Sequence, residues 1–205
     1  ELLQRECVTN FGDVLNDKHK WNLKLHDGAK EYVMNTSVQC SFYIVLYILK
    51  NHLQLNENIY DIKRRLCTYY KPILEKSLIK ICDILTNQGK SHVKMLKNQQ
   101  IDIEVMIMND DYIFTAIDMW VLAINMQLPI ILFHGDSTLP FIKQLDWLCL
   151  YGNPESDKFY FVRMINNNQY NLITPPSMIS DLKGFQQMIE STTYTNHFIS
   201  FTDFI

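Results

Sequence analysis

Glycine is scarce in this chain, and the six present, Gly12, Gly28, Gly89, Gly135, Gly152 and Gly184, each stand alone. A P-loop or a dinucleotide fingerprint needs clustered glycines so that backbone N–H groups can approach a phosphate, so neither is possible. There is no G-x-S-x-G, no H-E-x-x-H and no EF-hand loop, which sets aside the serine-hydrolase, zinc-peptidase and calcium-loop chemistries those patterns carry. The five cysteines, Cys7, Cys40, Cys67, Cys82 and Cys149, are odd in number, widely spaced and include no C-x-x-C pair. That usage offers no disulfide framework and fits a reduced, intracellular, cytoplasmic protein. The six histidines are scattered, none three to five residues from another or from a cysteine. No metal site and no cofactor is expected.

Long apolar runs are also missing. The most apolar segment, Met119 to Phe133, is broken by Asn125, Gln127 and Pro129 and is too short to span a bilayer, and the opening residues Glu1 to Cys7 do not form a signal-peptide core. No membrane partner is expected. Like charges form no block: 19 basic and 22 acidic residues leave a net charge of -3, so nucleic acid is not the expected partner. Lys63, Arg64, Arg65 and Lys71 make one small basic cluster, which reads as the solvated face of a helix.

What the chain does have is core material. Its 205 residues are 47% hydrophobic, enough for one domain with appendages. It opens on Glu1 rather than methionine, which reads as a fragment or a processed product of something longer. Residues 1–35 are expected to be an N-terminal extension, with Trp21, Leu23 and Leu25 in strand-like alternation. Asn58 is placed to cap a helix carrying Ile59, Ile62, Leu66 and Tyr69 on one face, and Pro72 to open a further helix with Leu74, Leu78, Ile81 and Leu85. Asp102 to Met108 alternates like a short strand. Asp110 or Asp111 is expected to cap a helix through Ile113, Ile117, Trp120 and Ile124, followed by a tight break and the buried strand Ile130 to Phe133. Phe141 to Leu150 reads as amphipathic, with Leu145, Leu148 and Cys149 inside. Phe159–Ile165 and Gln169–Ile173 flank three asparagines, a hairpin signal because asparagine tolerates positive φ. Pro175 and Pro176 are expected to end that strand and open a last helix from Ser177 to about Glu190, within a C-terminal unit 176–205. Helices first and a small sheet mostly afterwards make an α+β layout, with helices packed on a small central β-sheet.

Thr36 to Lys50 is the stretch around which the rest is arranged. Phe42, Val45, Leu46 and Leu49 recur at helical spacing. Ser37 is a candidate N-cap, which would put Cys40 in the first turn. Free N–H groups and the helix dipole there favour an anion, and thiolate is the nucleophilic form of cysteine. A cysteine beside a helix also fits a purely structural role, packing as a small hydrophobe.

The order of a cysteine at a helix start, a later helix running into Pro129–Phe133, and a hairpin whose second strand reads Gln169-Tyr170-Asn171-Leu172-Ile173 resembles the ovarian-tumour (OTU) family of cysteine peptidases. The resemblance spans about residues 34–173 and implies an OTU-like domain over 36–175 with a papain-like fold and deubiquitinase ancestry. In that family a short Asp-Gly-Asn-Cys-like motif precedes the catalytic helix, and a late His-Tyr-Asn or His-Tyr-Asp strand supplies the general base and the residue that orients it. Ser37, Val38, Gln39 and Cys40 match the first motif, and Gln169, Tyr170 and Asn171 the second. The site implied is therefore Cys40, Gln169, Asn171 and Ser37, with ubiquitin or another protein as partner, within a larger polypeptide or assembly.

Two positions depart from the family. Gln169 has no pKa near neutrality and cannot take the thiol proton or return it to a leaving amine. Ser37 stands where an acid is expected, and Val38, β-branched, where glycine would be. The resemblance thus implies a catalytically impaired module that binds or scaffolds. The alternative is an active peptidase using Cys40 with a non-standard base, for which His134 and His197 are the candidates.

Overall fold

A computed structural model describes residues 30–33, 39–133, 147–150, 159–166 and 169–174. The elements in chain order are β1 (Lys30–Val33), α1 (Cys40–His52), α2 (Ile59–Asn87), α3 (Val93–Lys97), α4 (Ile103–Met108), α5 (Ala116–Met126), β2 (Ile130–Phe133), β3 (Trp147–Cys149), β4 (Tyr160–Asn166) and β5 (Gln169–Thr174). This is a mixed α/β chain with helices packed on a small sheet, as the layout of the sequence implies.

α2 begins where the sequence places it. The Asn58 side chain accepts the Asp61 N–H at 3.1 Å and the Asp61 carboxylate accepts the Asn58 N–H at 3.0 Å, a reciprocal cap that satisfies two otherwise orphaned donors. The helix then runs through Pro72, and its break falls later, at Ser77 (φ -145°, ψ 44°). Proline removes one ladder bond, but Tyr70 and Ile73 on either side are buried, and their packing carries the helix across it. Tyr70, not Tyr69, is the fully enclosed aromatic of this helix. After Asn87 the chain turns at Gly89 (φ 76°), a left-handed position that glycine adopts without penalty.

Residues 102–108 form the helix α4 rather than a strand. The buried set is Ile103, Met106 and Ile107, spaced three and four apart, while Val105 is 60% exposed; the apparent alternation arises only when Met106 is counted as polar. The next helix, α5, starts at Ala116, not after Asp110 or Asp111. Its start is fixed by Asp118, whose carboxylate accepts the Thr115 N–H at 2.7 Å. Gln127, in the left-handed region (φ 57°, ψ 42°), makes the tight break before β2. Residues 147–149, expected on an amphipathic segment, form strand β3. Trp21 to Leu25, 134–146 and the expected C-terminal helix after Pro175 lie outside the described residues.

The sheet has the order β1-β5-β4-β2-β3. β4 and β5 form the expected antiparallel hairpin, in register from Phe161↔Ile173 to Asn166↔Gln169 with a bulge near Ile165. β2 runs parallel to β4, while β1, from the stretch assigned to the N-terminal extension, pairs antiparallel with β5. Strand alternation sorts the sheet into two faces. Ile130, Leu132, Tyr160, Val162, Met164, Tyr170 and Leu172 join one core with α1, α2 and α5. Ile131, Phe133, Phe161 and Ile173 on the other face are equally buried but stand outside that core, with the Phe133 and Phe161 rings stacked at 6.3 Å. No helix among the described residues is long and apolar enough to cross a membrane.

The basic cluster on α2 is not one solvated face. Lys63 is 5% exposed and donates to the Asn109 carbonyl at 2.7 Å. Arg65 forks onto Glu57, its Nε 2.9 and 3.0 Å from the two carboxylate oxygens, and Arg64 lies over the Tyr60 ring.

Candidate functional site

α1 starts on Cys40. The residue at its cap position is Gln39 (φ -97°, ψ 6°), not Ser37, and it makes no side-chain capping bond; Ser37 and Val38 lie outside the described residues. The first turn holds no acidic side chain, which leaves the positive end of the helix dipole uncompensated by the helix itself. Phe42, Val45 and Leu49 are fully buried, and the Phe42 ring meets Phe114 at 5.0 Å. These contacts seat α1 against the rest of the helical layer.

α1 also packs along β5, the strand carrying Gln169, Tyr170 and Asn171. At its far end the His52 ring stands edge-on to Tyr160, the first residue of β4, at 5.8 Å. Gln169 and Asn171 do not lie on the strand face that packs against α1. Tyr170 and Leu172 belong to the core that contains α1, so alternation puts Gln169 and Asn171 on the opposite face with Ile173, where Asn171 pairs in register with Arg163. Burial lowers the Arg163 guanidinium to about 10.

Two histidines other than the expected substitutes are in view. His52 closes α1 at the end away from Cys40, about 18 Å along the axis at 1.5 Å per residue, and His92 lies 3.5 Å from the Asn109 amide. His134 and His197 lie outside the described residues. Among the described residues no group of three His, Cys, Asp or Glu side chains is placed to hold a metal ion.

Cys67 and Cys82 are free and buried. Burial pushes the Cys67 thiol up to about 11 and raises Cys82 as well, which keeps both as thiols at neutral pH and poor nucleophiles. In the native chain at neutral pH, neither should label with a small alkylating reagent over a time in which the unfolded chain labels fully. Peptide mass mapping reads this, and equal labelling before and after unfolding would contradict the burial.

The sequence reading missed the most elaborate polar cluster. The Asp118 carboxylate accepts the hydroxyls of Tyr70 and Tyr112, each at 2.7 Å, and pairs directly with Lys90. The Lys90 Nζ also donates to the Ile113 carbonyl at 2.8 Å and lies 3.9 Å from the centre of the Tyr112 ring. Lys90 and Asp118 are 1% and 0% exposed. Burial lowers the Lys90 ammonium to about 8 against the opposing pull of Asp118. Burial, then the Asp118 charge, raise both tyrosines well above 10. Sealed from solvent, the cluster is structural: it pins α2, the turn after it and the 112–115 link to the start of α5, and so supports β2. An aspartate inside the apolar run Ile117–Ala123 was its visible trace in the sequence.

Set beside known proteins, the chain matches no family model, no curated protein and no solved structure.

Proposed function

We propose that the chain is an OTU-like domain of papain-like type whose peptidase machinery has decayed and which acts as a binding or scaffold module toward ubiquitin or another protein partner. The observation that carries this is the seating of a helix that begins on Cys40 along the strand that begins Gln169-Tyr170-Asn171. The presence of the β4–β5 hairpin beside α1 also speaks against an all-helical bundle, the setting in which a purely structural Cys40 would be expected. Two features speak against catalysis. Gln169 offers no group that exchanges a proton near neutrality, and alternation turns residues 169 and 171 to the face away from α1. Loss of a triad member commonly costs several orders of magnitude in rate.

The purified chain should therefore leave ubiquitin chains intact and form no adduct with ubiquitin bearing a C-terminal electrophile. Cleavage that disappears in Cys40→Ala would replace this reading with the active-peptidase alternative. Gln169→His should also be inert, because an imidazole at 169 inherits the wrong face; cleavage gained by that single change would show that residue 169 does reach the thiol.

A further inference from the structure

Between α2, α3 and α4 lies an open groove of about 610 Å³. Its apolar lining includes Leu74 and Leu78, which bracket the break in α2 at Ser77, together with Leu96 of α3 and Ile103 of α4. Its charged lining is Lys71, Glu75, Asp102 and Glu104, three carboxylates against one ammonium, and that ammonium is already 3.7 Å from Glu104. All three acids are exposed; Glu104 faces Lys71, and the charge of Glu75 and Asp102 is offered to solvent.

The chemistry of the lining selects the occupant. An acidic rim disfavours phosphate backbones and anionic lipid headgroups, while the apolar floor needs aliphatic anchors. A helix laid in a groove meets both demands when its apolar stripe is flanked by cations. We infer that this groove is the docking site for an amphipathic helix of a partner protein, with leucine-type anchors bordered by lysine or arginine. The floor supplies the affinity, and the exposed rim supplies orientation, on-rate and salt dependence. None of the residues on which the proposed function rests takes part, so the inference stands or falls separately from it.

The test uses the full chain and two labelled model helices, one of leucine and lysine and one with glutamate in place of lysine, read by fluorescence anisotropy. The leucine–lysine helix should bind saturably and weaken with salt, and the leucine–glutamate helix should not bind. Glu75→Lys combined with Glu104→Lys, both at exposed sites, should weaken binding about tenfold or more, equivalent to about 1.4 kcal/mol, while Asp111→Lys, outside the groove, should leave it unchanged. Leu78→Asp should abolish binding, with the thermal melt confirming that the variant is folded. Absence of saturable binding, survival of binding after the double charge reversal, or an equal loss with Asp111→Lys would each overturn the proposal, the last two by showing diffuse attraction to an acidic chain.

Discussion

Lys90→Met is expected to cost about 3–5 kcal/mol of folding stability, the usual consequence of removing one partner from a buried ion pair. The loss comes less from the missing attraction than from what stays behind. Asp118, fully buried, retains the Tyr70 and Tyr112 hydroxyls and the Thr115 N–H, which soften the penalty without neutralising the charge, and the Ile113 carbonyl loses its donor. Against a total of about 5–15 kcal/mol for an ordinary domain, the variant should sit near the edge of folding, which urea titration of both proteins will show. Lys90→Met combined with Asp118→Leu should recover part of the loss and not all of it: the charge is gone, but two tyrosine hydroxyls and the Thr115 N–H are then orphaned. A single-variant cost below about 1 kcal/mol would mean that the pair is hydrated and the cluster is not structural.

The pH dependence of that cost carries its own sign. With Lys90 lowered to about 8 from the ordinary 10.5, the unfolded chain holds a proton across that window that the folded chain has released, so Lys90 makes stability rise with pH there. Tyr70 and Tyr112, both raised, act oppositely: their contribution is intact below about 10 and is lost as pH climbs through their folded values. The stability gap between the native chain and Lys90→Met should therefore widen from about pH 8 to about pH 10. A gap that narrows would show that the pull of Asp118 outweighs desolvation at Lys90.

Local chemistry was legible in the sequence wherever one short stretch decided the outcome. Asn58 and Asp61 cap α2 because both partners of the exchange lie within four residues, and the β4–β5 hairpin follows from two β-rich runs around a cluster of asparagines. Misreadings arose where two periods fit the same residues. Ile103, Val105 and Ile107 satisfy a strand, and only the burial of Met106 reveals the helix. Likewise Asp110 and Asp111 look like caps, yet Ile113 and Phe114 occupy the link, and Thr115 with Asp118 makes the start of α5. Long-range features left almost no local mark: Lys90 and Asp118 are 28 residues apart, and β1 finds its partner strand far along the chain. The candidate site divides in the same way. The motif order around Cys40 and Gln169 could be read, but the face of β5 on which α1 settles is a property of packing, not of either motif.

That difference of face gives the second large effect. Among Gln169, Tyr170 and Asn171, family resemblance directs interest to the first and third, whereas the structure puts Tyr170 in the core that the sheet shares with α1. Tyr170 is fully buried, joins the core shared with Phe42 and Val45, and stands opposite Met164 on β4. Tyr170→Ala should therefore cost about 3–5 kcal/mol, in the range of buried aromatic truncations, because the close-packed surroundings cannot collapse into the space of a lost ring. Gln169→Ala, at a half-buried strand end, should cost less than about 1 kcal/mol. Denaturant unfolding of the two variants, with the slope of the transition monitored to confirm a single cooperative unit, separates the possibilities. A larger loss at Gln169 than at Tyr170 would place residue 169, not 170, on the side of α1, and would reopen the path from Cys40 to a partner on β5.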